Sequence, residues 1–410
     1  MQLRLLLALS AAPTLAAAQV QAPVSVRTVT DTLIGRVGGV AVDRSGLIYV
    51  ADFGNHVYKV HPDGRTELFA SGLYGASGNA IDSRGRLLQS NFYGDAISRI
   101  DRDGTITTLA RGLAGPVGIA VDSSDNLTVT NCRTNSLSRV TPAGDVSTFA
   151  TSSLFNCPNG ITRTADGNFH VVNFADGRVL KVTPDGTVSE FALVPGGGLG
   201  HIAQLRGAFY VTAFQSHQLY RVDADGVVTR VAGAPQSGEV DGEGSEARFT
   251  FPNGIASGPT GDRLYINDFL NRSAPTVEAP PVPKSIVRQV TLPAFWQVLA
   301  AELSAGGVTA MESRYRAWKA DPSTAGGFTE QEINAFAYQL MNNGNLPAAR
   351  VLFRLNTESY PGSFNTWDSY AEWHLKSGQR DEAIRLYRKS LELNPANTNA
   401  TEQLRQLGAS

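Results

Sequence analysis

The sequence has little cysteine, little methionine and almost no surplus charge. Two cysteines and three methionines occur in 410 residues. So few cysteines exclude a multi-disulfide scaffold and a multi-cysteine zinc site. The 35 basic and 37 acidic residues nearly cancel. No basic block or nucleic-acid motif is present, which argues against a nucleic-acid partner. Beyond the first residues no apolar run is long enough for a membrane helix. No HExxH, nucleophile elbow, Walker loop or CxxC occurs. The run "GGGLG" at 196–200 lacks the strand–turn–helix setting of a phosphate loop and reads as a connection between repeats.

What is present begins with a leader. Arg4 precedes the short apolar run "LLLALSAAPTLAAA", and Ala16 and Ala18 fit a small-residue cleavage rule. Residues 1–18 therefore read as a signal peptide with cleavage before Gln19, and the mature chain as periplasmic or secreted. In that compartment Cys132 and Cys157 are expected to form a disulfide, with two separate thiols as the alternative.

The dominant signal is internal repetition with a period near 40 residues. Units begin at "GGVAVDRSGLIYVADFGNHVYKV" (from 38), "GNAIDSRGRLLQSNFYGDAISRI" (78), "GIAVDSSDNLTVTNCRTNSLSRV" (118), "GITRTADGNFHVVNFADGRVLKV" (160), "GHIAQLRGAFYVTAFQSHQLYRV" (200) and "NGIASGPTGDRLYINDFLNR" (253). Gly64, Gly104, Gly144, Gly186 and Gly226 each stand between two alternating runs, which predicts a hairpin turn. Each unit offers four short strands. A single such sheet cannot bury both faces, whereas several packed radially can. The expectation is a mainly β fold, a six-bladed β-propeller over 25–292. The sixth unit lacks a strand, and the segment "VSVRTVTD" before the first unit is expected to supply it. The Pro-rich segment "SAPTVEAPPVPKS" is expected to be a hairpin loop inside that blade.

Units of this form resemble NHL-repeat propellers, and "DGEGSEARFTFPNGIA" (241–256) resembles that family's inter-blade connection. The wider resemblance takes in gluconolactonase-like, regucalcin-like and streptogramin-lyase-like propellers. It implies a six-bladed fold and, in the lactonase-like members, a calcium ion held by oxygen ligands over the central channel. Asn159 and Asn253, both in "PNGI", look like the asparagine of those enzymes. Asn131, Asn173 and Asp268 are the further candidate ligands. The first blade carries "GRVGGVAVD" where that family has its ligating glutamate, and none matches.

After residue 292 the apolar pattern becomes helical. Two units align at a 34-residue offset: Gly344 with Gly378, Ala349 with Ala383, Phe353 with Tyr387, and Pro361 with Pro395. Residues 330–397 resemble tetratricopeptide repeats, inside an α-helical domain spanning 293–408. His374 and Ser390 depart from the usual tyrosine and alanine. The resemblance implies a surface for a protein partner.

One positional series stands out: Asp52, Asn91, Asn131, Asn173, Ala213 and Asp268, each followed by Phe53, Phe92, Cys132, Phe174, Phe214 or Phe269. The polar members either hold turns or converge on the channel. Asn91, Phe92, Phe174 and Phe214 form the candidate ligand-binding face for a small molecule or peptide. His201 interrupts the repeat where other blades read "NGI" or "VGI" and, with Asp268, is the candidate catalytic residue. The expected function is an exported ligand- or protein-binding propeller. The alternatives are a calcium-dependent hydrolase of lactone-like esters and a propeller lyase.

Overall fold

The computed structural model describes residues 24–270, 284–320 and 329–409. The expected signal peptide and most of the Pro-rich insert lie outside them. The chain forms two compact units, one spanning Pro23–Ala294 and one built from Phe295–Ala317 and Glu330–Ser410.

The first unit opens with β1 (Ser25–Ile34). Blade 1 follows as β2 (Val40–Val42), β3 (Ile48–Ala51), β4 (His56–Val60) and β5 (Thr66–Ser71). Blade 2 is β6 (Ala76–Ile81), β7 (Leu87–Asn91), β8 (Ala96–Ile100) and β9 (Ile106–Arg111). Blade 3 is β10 (Pro116–Val121), β11 (Leu127–Asn131), β12 (Ser136–Val140) and β13 (Val146–Thr151). Blade 4 is β14 (Pro158–Arg163), β15 (Phe169–Asn173), β16 (Arg178–Val182) and β17 (Val188–Leu193). Blade 5 is β18 (Leu199–Leu205), β19 (Ala208–Ala213), β20 (Gln218–Val222) and β21 (Val228–Ala232). The remaining strands are β22 (Gly242–Glu243), β23 (Ile255–Ser257), β24 (Arg263–Leu270) and β25 (Lys284–Thr291).

Blades 1 to 5 are four-stranded antiparallel meanders in chain order. The second strand of each is buried along its whole length, as in β7, β11 and β15, because both sheet faces pack against neighbouring blades. The hairpin glycines have positive φ, for example 89° at Gly104 and 98° at Gly144. A Cβ there would stand 2.5 Å from the Phe69 carbonyl oxygen and 2.1 Å from that of Leu109, so the turn fixes the spacing of neighbouring blades.

Blade 6 has the order β22-β1-β25-β24-β23. The N-terminal strand pairs antiparallel with β25, from Ser25 opposite Thr291 to Ile34 opposite Lys284. The ring is therefore closed by its own N-terminal end, as the spare extended segment leads one to expect.

The second unit is a six-helix repeat domain. It comprises α1 (Phe295–Ala320), α2 (Glu330–Asn342), α3 (Leu346–Ser359), α4 (Phe364–Lys376), α5 (Arg380–Leu393) and α6 (Thr398–Gln406). Gly307 breaks α1 with φ 72°. The aligned small residues Ala349 and Ala383, and the aromatics Phe353 and Tyr387, are all fully buried. His374 bonds Gln379 at 2.6 Å, and Ser390 bonds the Phe364 carbonyl at 2.9 Å. Both departures from the repeat pattern are thus accommodated by local hydrogen bonds. Among the described residues no helix is long and apolar enough to cross a membrane.

Candidate functional site

Two ring-shaped sets of residues, each from one position of the repeat, enclose a cavity of about 380 Å³ on the propeller. The wall is the position after the second strand: Phe53, Phe92, Cys132, Phe174, Phe214 and Phe269. All six are half-buried. Their rings touch in arcs: Phe53–Phe92 centroids are 5.7 Å apart and Phe174–Phe214 also 5.7 Å. Phe251, outside the series, joins Phe214 at 5.0 Å and Phe269 at 6.2 Å. The third blade breaks the aromatic series with Cys132, and the wall there is the disulfide to Cys157.

The floor is the start of each innermost strand and carries Ser77, Val117, Asn159 and Asn253. Asn159 Nδ2 donates to the Leu199 carbonyl at 3.1 Å. Asn253 Nδ2 donates to the carbonyls of Val37 (2.9 Å) and Gly38 (3.1 Å). These bonds fix both amide orientations and leave the two Oδ1 atoms as acceptors on the floor. Arg36, just before blade 1, is the one charged residue among the described lining residues.

One step further along each innermost strand the residues are Gly39, Gly78, Gly118, Gly160, His201 and Gly254. A Cβ at each glycine would come within 2.2–2.9 Å of backbone in the next blade. The inner strands therefore approach too closely for side chains at five of the six places. His201 alone carries one. Its backbone N–H bonds Asn253 O at 3.0 Å and Thr212 Oγ1 at 2.9 Å. Its ring is buried, Nε2 is sealed from solvent without a partner, and burial lowers its pKa to about 4. It is not among the residues lining the cavity.

The Asp and Asn series holds turns. Asn91 Oδ1 accepts from Tyr74 N–H and its Nδ2 bonds Ser98 Oγ at 2.9 Å. Asn131 repeats this with Ala114 N–H and Ser138 Oγ. Asn173 Nδ2 bonds Leu154 O and Asp176. Asp268 is fully buried, accepts from Thr250 N–H, and lies 3.6 Å from the equally buried Arg288. Burial pushes its carboxyl well above the usual range, against the pull of Arg288. Of the ten candidate residues other than the cysteines, Phe92, Phe174, Phe214, Asn159 and Asn253 meet at the cavity. Asn91, Asn131, Asn173, Asp268 and His201 do not line it.

A calcium ion asks for six to eight oxygen ligands, carboxylates among them. The floor offers two amide oxygens, and Asp268 is spent on Arg288. Among the described residues no three His, Cys, Asp or Glu side chains cluster to hold a metal. The donor set here does not fit the ion.

The sequence reading passed over Arg36, Ser77 and the disulfide as parts of the wall and floor. Cys132 stands in the series that follows the second strands, and reading the inner-strand position column by column finds Ser77 as well. Arg36 lies before the first repeat and carries no such signal. His56 Nδ1 meets the buried Asp52 Oδ2 at 2.8 Å at the end of blade 1's second strand.

The sequence model of the Virginiamycin B lyase family matches residues 40–239, and that of the tetratricopeptide repeat matches 364–404. No curated protein matches the chain. Among solved structures, an auxiliary nutrient binding protein from Bacteroides thetaiotaomicron is 16% identical, covering 65% of this chain and 76% of that one, with a TM-score of 0.56. A gluconolactonase from Xanthomonas campestris is 17% identical, covering 65% of this chain and 89% of that one, with a TM-score of 0.51. Virginiamycin B lyase from Staphylococcus aureus is 18% identical, covering 62% and 80%, at 0.45. At these identities the likeness is one of fold. The chain is a six-bladed propeller, matched over its first five blades by the model of a lyase family, followed by a helical domain of tetratricopeptide-like repeats.

Proposed function

We propose that the propeller is an exported enzyme of the lyase type, with its substrate in the phenylalanine-walled cavity. The observation that carries this is the position of the cavity. Nine of its thirteen lining residues fall inside the span matched by the lyase family. This displaces the binding-module reading from first place.

An elimination needs a base for the substrate proton and a group to meet the charge on the leaving atom. Arg36 is the one charged group among the described lining residues and anchors the substrate. His201 is the candidate for the base: it is neutral at pH 7, it replaces a glycine of the repeat, and its Nε2 has no protein partner, although it stands outside the cavity lining. The test is a panel of cyclic esters that includes virginiamycin B, followed by mass spectrometry. Elimination opens a cyclic ester at constant mass, whereas lactone hydrolysis adds one water. His201→Gly restores the residue of the other blades and is expected to abolish turnover while binding persists. Turnover unchanged in His201→Gly removes the histidine from the chemistry. Water addition to the panel overturns the lyase reading.

The second reading is ligand binding without turnover. It is favoured by one feature: no carboxylate or histidine is among the described lining residues. Stoichiometric binding with every panel member recovered intact would establish it.

A further inference from the structure

We infer that the cavity selects a ring-bearing amphiphile with one negatively charged group, held with its apolar body against the phenylalanines and its anion on Arg36. This rests on the cavity being the substrate site. It adds the class of molecule that enters.

The walls decide the body of the ligand. Five phenylalanines and a disulfide present ring faces, ring edges and sulfur, with no hydrogen-bonding side chain between them. All are half-buried, so each leaves apolar surface for a guest to cover. The aromatic surface continues past the cavity. Tyr93 lies 5.8 Å from Phe53 and 5.2 Å from Phe92, Tyr74 lies 5.7 Å from Tyr93, and both tyrosines are exposed. A single alkyl chain would leave most of these faces uncovered. A flat or multi-ring molecule matches them.

Arg36 decides the charge. Its guanidinium is exposed and makes no hydrogen bond or ion pair with any described residue. The nearby carboxylate is already committed: Asp52 accepts from the N–H groups of Gly54 and His56 and from the His56 ring, at 2.7–3.0 Å. The other cation of this face, Arg133, is held by Asp95 at 2.9 Å and lies over Phe92. Arg36 is thus left with its full donor fork for a carboxylate, sulfonate or phosphate. Among the described lining residues there is no competing cation.

The test uses two fluorescent probes that share an aromatic body. 1-Anilinonaphthalene-8-sulfonate carries the anion and N-phenyl-1-naphthylamine lacks it. Both are titrated into the full-length protein, the Arg36→Gln variant and the Phe214→Ala variant. The wild type is expected to bind the sulfonate more tightly than the amine. Arg36→Gln is expected to weaken the sulfonate about tenfold and leave the amine unchanged. Phe214→Ala is expected to weaken both. Equal affinity for the two probes, or an equal loss of both in Arg36→Gln, overturns the charge assignment while the cavity stands as the ligand site. Failure of the wild type to bind either probe, or probe binding untouched by Phe214→Ala, overturns the cavity itself, and with it the proposed reading.

Discussion

At the residue scale, one column of the repeat separates scaffold from site. The Asp and Asn residues that end the second strands face sideways into turns and neighbouring strands. The residue after each faces the cavity. Asn131→Ala is expected to cost about 1–3 kcal/mol, because Ala114 N–H and Ser138 lose their partner, and to leave probe affinity unchanged. Chemical denaturation alongside titration checks both halves. Two buried histidines add a pH dependence. His170 stacks against Phe209 at 4.0 Å and meets Phe191 at 4.8 Å, and burial lowers its pKa to about 4, as it does for His201. Both rings are neutral in the folded protein, while the unfolded chain binds their protons below about pH 6.5. Their stabilisation is complete above that value and declines as the pH falls from about 6.5 to about 4. Each histidine accounts for up to about 3 kcal/mol over this window. His170→Phe is expected to flatten the acid side of the curve of Tm against pH. A curve of unchanged slope counts against the assignment.

At the scale of elements, small polar side chains tie the inner strands of successive blades. Ser90 Oγ donates to Val117 O in the next blade, Thr130 Oγ1 to Asn159 O, and Asn267 Nδ2 to Gly38 O. Thr130 also accepts from Gly118 N–H at 2.7 Å. Thr130→Val keeps the shape and removes both bonds, so about 1–3 kcal/mol of stability is expected to be lost, measurable by urea denaturation. The disulfide ties the end of β11 to the residue before β14, a separation of 25 residues. Replacing both cysteines by serine is expected to cost about 3 kcal/mol, read as a fall in Tm of several degrees. These elements show what a sequence makes visible. The turn glycines were legible because positive φ is a local demand, repeated at Gly64, Gly104 and Gly144. The inner glycine layer and the cavity wall were legible only as periodic letters. Their meaning depends on how closely the next blade approaches, which is set some 40 residues away. Arg36 had no periodic partner and therefore no sequence signal.

At the scale of the whole propeller unit, the stability of the ring depends on its closing blade. Thr28 on β1 donates from its N–H and its hydroxyl to Asp241, at 2.9 and 3.0 Å. Asp241 also accepts from Arg288 at 2.8 Å. Arg288 is fully buried on β25, gives further hydrogen bonds to the carbonyls of Arg248 and Val240, and lies over Phe249. Its remaining neighbour is Asp268, whose Oδ1 has no partner. Removing one member of such a network leaves the other buried and uncompensated, which costs about 3–5 kcal/mol. Arg288→Met is therefore expected to destabilise the propeller by that order. The loss should shrink at acid pH, because Asp268, already raised by burial, escapes by taking a proton. Replacing the carboxylate as well, in Arg288→Met with Asp268→Asn, removes the stranded charge and is expected to restore part of the stability at neutral pH. Denaturation of the two single variants and the double variant at pH 5 and pH 8 gives the coupling directly. Additive losses at both pH values would mean that the two charges do not act together in holding the ring shut.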